Sequence, residues 1–256
     1  IRKCYIIKME VNNYYYYFKE ALSSKDCEDI ISHGLSTIIK NKRKGISTTA
    51  LTHGNSQKKD KDNKKSISEK TNEEVKNIQD YYIRDSEIAW LQDKWIYDIL
   101  QPLIREANDK AGWHYDLETA EQIQFTVYKP GGLYGWHTDG QQDIANAYRR
   151  YFEGITIEKK INGQLPPKFV KQNHLIGQVR KISMTCNLSL PNEYTGGNLK
   201  FDFGPHHIGE RYHEVEEIRP QGSVVVFPSW LPHCVTPIET GIRYSLVLWS
   251  LGRPLK

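Results

Sequence analysis

Apolar positions along this chain change their period more than once. Residues 14–18 are an unbroken aromatic run, the texture of a short strand. Ser23 then precedes Asp26 by three positions, a capping-box start. Cys27, Ile30, Ile31, Leu35, Ile38 and Ile39 follow at helical spacing, which predicts an amphipathic helix over 24–40. Residues 41–79 are polar, Lys-rich and poor in aromatics, as loops are, and 81–83 reads as a strand. A second helical stripe comprises Ile88, Leu91, Trp95, Ile96, Ile99, Leu100, Leu103 and Ile104 and ends near Gly112. Pro102 inside it should kink or split the helix. Trp90, Trp95 and Trp113 lie in or beside this stripe, and core packing is expected for them.

From Gln122 onward the pattern becomes short apolar runs punctuated by Gly and Pro. Strands are predicted over 122–128, 181–190, 198–203, 222–227 and 242–251, with a long polar segment, 140–178, between the first two. Several strands after two helices predict an α+β fold in which a β-sandwich or barrel is buttressed by helices on one face. No internal repeat is visible. One domain over 1–256 is expected, with helical support over 20–115 and the β core over about 120–252.

Composition narrows the class. The 256 residues are 38% hydrophobic and 26% charged, ample for a buried core and without a run of eighteen apolar positions, so no membrane span is expected. The first residues carry too short an apolar stretch for a secretory segment, which predicts a cytoplasmic chain. Cys4, Cys27, Cys186 and Cys234 share no metal-like spacing and read as reduced thiols. The net charge of +4 has a local origin: residues 40–65 hold nine basic and two acidic side chains. Without interleaved aromatics this is a solvated loop, which argues against nucleic acid as a partner.

The first candidate chemistry is His137-Thr138-Asp139, after a Gly-rich stretch. In a chain with 9 His, chance alone supplies on the order of half an H-x-D, and His114-Tyr115-Asp116 is a second copy. Positions i and i+2 of a strand face the same way, so His137 and Asp139 can project together, and His233 follows a downstream apolar strand. Two His and one carboxylate are the facial set used for non-haem iron(II). His114 has no such setting and reads as a decoy. In 242–251, Ile242, Tyr244, Leu246 and Leu248 alternate with Arg243, Ser245, Val247 and Trp249. A guanidinium on the inner face of a barrel strand requires an anion, and its fork suits a carboxylate. His206, His207 and His213 sit among charges and read as loop residues.

Together these residues resemble the 2-oxoglutarate and iron(II)-dependent oxygenases, in particular the prolyl 4-hydroxylase-like branch with its small viral and bacterial members. The resemblance rests on His137-x-Asp139, His233, Arg243 ten positions later with Ser245, Tyr128 nine before His137, and the 190–197 stretch that ends in Gly196-Gly197. It covers roughly 120–252 and implies a double-stranded β-helix, or jelly roll, of the cupin-like kind. It further implies that His137, Asp139 and His233 bind Fe(II). Arg243, Tyr128, Thr185, Ser245 and Trp249 would surround 2-oxoglutarate. The co-substrates would be 2-oxoglutarate and O2, with ascorbate as a stimulant, and the products succinate, CO2 and a hydroxylated C–H bond. A peptide or protein substrate, proline-rich in the first instance, is the implied partner. Another side chain or a small molecule is the sister reading. A nucleic-acid demethylase is disfavoured because position 249 is Trp where that family has a second Arg. A jelly-roll binding module without catalysis is the reading from another class. Either 41–79 or 140–178 is expected to close over substrate.

Overall fold

This computed structural model describes residues 13–50, 84–140, 178–205, 207 and 209–253. In chain order these form β1 (Tyr16–Phe18), α1 (Ser24–Arg43), β2 (Glu87–Leu91), α2 (Lys94–Lys110), β3 (Thr119–Ala120), β4 (Ile123–Tyr128) and β5 (Tyr134–His137). Then come β6 (Val179–Asn187), β7 (Tyr194–Gly196), β8 (Leu199–Asp202), β9 (Tyr212–Glu214), β10 (Val224–Pro228), β11 (His233–Val235), β12 (Ile238–Gly241) and β13 (Arg243–Gly252). The expected strand at 81–83 and most of both expected closing segments lie outside the described residues.

The larger sheet has the order β1-β10-β6-β13-β4-β2, with β3 added along β13, and every pairing in it is antiparallel. The smaller sheet runs β5-β11-β8-β9, and β7 and β12 pair as a separate ribbon. The two main sheets pack through Leu199 and Phe201 of β8 against Val225 and Phe227 of β10, with the Phe201 and Phe227 rings 5.0 Å apart. Two facing antiparallel sheets with remote strands adjacent make the predicted jelly-roll core, open at its edges.

The period-two pattern gives the larger sheet two different faces. Phe125, Val127, Ile182, Met184, Cys186, Val224, Val226, Leu246 and Leu248 turn outward and are covered by Cys27, Ile30 and Ile38 of α1 and Ile96, Leu100, Ile104 and Ala107 of α2. The alternate positions turn inward, and many are polar: Gln124, Thr126, Ser183, Asn187, Arg243 and Ser245 are all buried. Polar groups buried this way require partners, so the inner face is where a site belongs.

Helix α1 begins with the predicted capping box, in which Ser23 Oγ accepts the Asp26 N–H at 3.1 Å and Asp26 accepts the Ser23 N–H at 3.2 Å. At mid-helix Gly34 lies against Phe125, and a Cβ there would run into the ring. The second stripe differs from expectation. Ile88 and Leu91 belong to β2, which pairs β4, and the helix starts only at Lys94. Pro102 does not split α2, which continues through it to Lys110; its ring is on the exposed side. Trp90 and Trp95 are 42% and 39% exposed, so they are not core residues.

Candidate active site

Edge strand β5 delivers His137 opposite His233 of β11, its direct register partner, and the two rings lie 4.2 Å apart. Two residues on, Asp139 is buried beside them, held by the Gly140 N–H donating to Ser229 O at 2.7 Å. Asp139 Oδ1 is 3.7 Å from His137 Nε2, and its Oδ2 is 3.5 Å from His233 Nε2. The three side chains present one donor atom each within 4.8 Å of one another.

Backbone acceptors set the state of both imidazoles. His137 Nδ1 lies 2.7 Å from Gly135 O, and His233 Nδ1 lies 2.9 Å from Leu231 O. A carbonyl only accepts, so each ring donates from Nδ1 and turns its Nε2 toward the cluster. Burial first, then the neighbouring His233, push the His137 pKa down to about 3, so the ring is neutral near pH 7. Burial opposes ionisation of Asp139, but His233, His137 and Arg180 outweigh it and hold the carboxyl below its ordinary range. Ser183 donates to Asp139 Oδ2 at 2.7 Å and exchanges a 2.9 Å hydrogen bond with Ser229. Two imidazole nitrogens and one ionised carboxylate fit a divalent transition metal.

The second group lies on the inner face of the larger sheet, whereas the two histidines belong to the smaller one. Arg243 is 2% exposed, faces Tyr128 across the β13–β4 pairing, and has its guanidinium carbon 5.7 Å from the Tyr128 ring. Its Nε has no hydrogen-bond partner among the described residues. An unpaired donor on a buried cation calls for an anion, and a carboxylate fits it. Gly197, at φ +62°, makes the space: a Cβ there would strike Ile238 and come within 3.3 Å of Arg243. Ser245 and Tyr128 are buried nearby, Thr185 is half-buried on β6, and Trp249 is buried. The Trp249 N–H makes no hydrogen bond of full geometry among the described residues, yet it lies near enough to Asp139 to favour the ionised carboxylate.

The structure keeps the decoys apart from this site. His114 sits in the turn after α2 with a 67% exposed side chain, 3.7 Å from Asp109. His213 is not a loop residue: it lies on β9, half-buried, and meets the Tyr15 hydroxyl at 2.9 Å. The described cysteines, Cys27, Cys186 and Cys234, are free thiols.

Several site residues carried no sequence signal. Asn187 donates to Ser189 O and Arg219 O and accepts from Tyr194 at 3.4 Å, fixing the wall beside Ser245. Its parity with Thr185 could have marked it. Tyr134 stacks on His137 at 3.5 Å, and Arg84 lies 4.4 Å above that tyrosine ring. The Ser183–Ser229 pair and the Glu121–Arg180 pair join residues far apart in the chain, so no local spacing marks them.

Comparison with known proteins agrees with this geometry. A PKHD-type hydroxylase of Synechococcus sp. (strain CC9605) is 44% identical over 71 residues, 27% of this chain and 29% of that protein. Another, of Stenotrophomonas maltophilia (strain R551-3), is 31% identical over 127 residues, 49% of this chain and 41% of its relative. The chain thus matches well under half the length of these curated relatives. Among solved structures, a Pseudomonas putida prolyl-4-hydroxylase superposes with a TM-score of 0.54 at 18% identity, covering 95% of each chain. The viral collagen prolyl hydroxylase of Paramecium Bursaria Chlorella virus-1, in its 2OG complex, gives 0.53 at 18% identity and covers 94% of this chain and 97% of that one. A sequence model of the 2OG-Fe(II) oxygenase superfamily matches residues 123–251, the stretch from β4 to β13 that carries every residue of the cluster. The chain belongs to the 2OG-Fe(II) oxygenase superfamily, which implies Fe(II), 2-oxoglutarate and O2.

Proposed function

We propose that this chain is an iron(II)- and 2-oxoglutarate-dependent dioxygenase that hydroxylates a prolyl residue in a peptide or protein. One observation carries the reading. A His137–Asp139–His233 cluster, whose histidines lie on the smaller sheet, and an Arg243 buried on the larger sheet with its Nε unpaired among the described residues belong to one jelly roll. Iron(II), when bound, supplies oxygen activation coupled to oxidation of 2-oxoglutarate to succinate and CO2.

The chain's own residues do the positioning. His137 Nε2, His233 Nε2 and the Asp139 carboxylate would hold the metal. Arg243 pairs with the distal carboxylate of 2-oxoglutarate, with Tyr128, Ser245 and Thr185 as hydroxyl partners, while Trp249 lines the same pocket. Tyr134, stacked on His137, shields that edge of the metal site from water. The prolyl assignment draws on the fold shared with prolyl hydroxylases. One of these, from Trichoplax adhaerens, is seen with a peptide fragment of the hypoxia inducible factor oxygen degradation domain. A cytoplasmic setting accompanies this reading, and no helix among the described residues is long and apolar enough to cross a membrane.

The test is anaerobic absorption spectroscopy with Fe(II), before and after adding 2-oxoglutarate, followed by succinate release on a panel of proline-containing peptides. A visible band that needs both components, vanishes in His137→Ala and demands more 2-oxoglutarate in Arg243→Ala is the expected result. Absence of the band in metal-replete protein overturns the oxygenase chemistry. A band without peptide-dependent succinate overturns only the prolyl assignment.

A further inference from the structure

One buried ion pair close to the metal cluster has no part in the scheme above. Arg180 of β6 gives its Nε and Nη2 to the two oxygens of Glu121, at 2.6 and 2.7 Å. The Glu121 side chain is 5% exposed and that of Arg180 17%. The guanidinium carbon lies 3.8 Å over the Trp249 ring. Its Nη1 lies 4.0 Å from Asp139 Oδ1. Glu121 is itself immobilised: its N–H donates to Trp249 O at 2.9 Å and its carbonyl accepts from the Tyr97 hydroxyl at 2.8 Å.

The separation matters. At 4.0 Å the Arg180 cation acts on Asp139 through its field but forms no hydrogen bond to it. The forked edge of the guanidinium, the part that binds carboxylates bidentately, is spent on Glu121. Asp139 Oδ2 already accepts from Ser183, and Oδ1 is the oxygen that lies 4.0 Å from Arg180. Without the Glu121 fork, the Asp139 carboxylate 4.0 Å away would compete for the Arg180 guanidinium.

We propose that Glu121 is a positioning residue for the metal site, acting through Arg180: it holds the guanidinium off Asp139 and flat against Trp249, so that Oδ1 stays open to the metal. The inference rests on the metal-site reading above. Its test uses Co(II) as a spectroscopic probe in the full chain, titrated anaerobically and followed by its d–d bands. Glu121→Gln raises the Co(II) dissociation constant by about 10- to 100-fold, the range typical for loss of a residue supporting a metal ligand. It also alters the d–d envelope, whereas Glu121→Asp recovers most of the affinity. In an Arg180→Gln background the Glu121→Gln effect disappears, because the two substitutions share one route to Asp139.

Affinity of Glu121→Gln within about twofold of the parent overturns the proposal, as does a loss of equal size with and without Arg180. Should Glu121→Gln not fold by circular dichroism, Arg180→Lys gives the same decision. It keeps the charge but cannot hold the fork, so weakened Co(II) binding is expected and unchanged binding overturns the role. Parent protein that binds no Co(II) removes the metal site itself, and this inference with it.

Discussion

A cation buried at 2% exposure without an acidic partner among the described residues makes Arg243 the most informative side chain in the molecule. Its desolvation is uncompensated until an anion arrives. Arg243→Met should therefore leave the ligand-free protein at least as stable as the parent, while abolishing the rise in melting temperature that 2-oxoglutarate produces. Arg243→Lys, which keeps charge but loses the fork, should weaken 2-oxoglutarate by about 10- to 100-fold, equivalent to a charged hydrogen bond of roughly 1.5–3 kcal/mol. Thermal shift against 2-oxoglutarate concentration checks both. This residue was legible beforehand because strict alternation along β13 put a charge on the face opposite Leu246 and Leu248. Arg180 and Glu121 were not, since each sits in an ordinary polar context and only the fold brings them together.

At the scale of elements, the contact of α1 with β4 shows where local preference and packing conflict. Alanine exceeds glycine in helix propensity by about 1 kcal/mol, so Gly34→Ala would be stabilising in an isolated helix. Here the new methyl would enter the Phe125 ring, a member of the buried core cluster. Net destabilisation of roughly 1–3 kcal/mol in urea unfolding is the expected outcome. The helix itself was readable, cap included. The N-terminal part of the second stripe was not, because Ile88 and Leu91 are also compatible with a five-residue strand, too short for period to decide. Trp90 and Trp95 misled for a different reason: residue type predicts burial on average, but β2 lies at the sheet edge, and α2 turns Trp95 to solvent.

For the whole molecule, burial is selective about charge. Burial raises the Cys27 thiol to about 11, pushes Cys186 well above its ordinary value, and with Glu217 lifts Tyr15 to about 12. Each is an acid whose folded pKa exceeds its unfolded one. Below pH 9 both states keep the proton, and above it the unfolded chain ionises first, so stability falls as pH rises. Urea midpoints should decline steadily between about pH 9 and pH 12. Replacing Cys27 by Ala should flatten the early part of that decline. A helix-buttressed β-sandwich or barrel was legible from strand count and turn residues, and the family resemblance narrowed it to a jelly roll, whereas the division of strands between two sheets depends on long-range pairing that no local window contains. One pairing has a further consequence. Strand β5 lies at an edge and is joined to its neighbour at His137↔His233 and Val235↔Tyr134, with an irregularity between. A metal held by both histidines would rivet this margin to the rest of the structure and close a large loop of chain. Chelation should then speed amide hydrogen exchange from Tyr134 to His137 far more than in β6 or β13. The ion would serve as the fastener of its own binding site, and starvation for iron would be felt first as fraying along one seam.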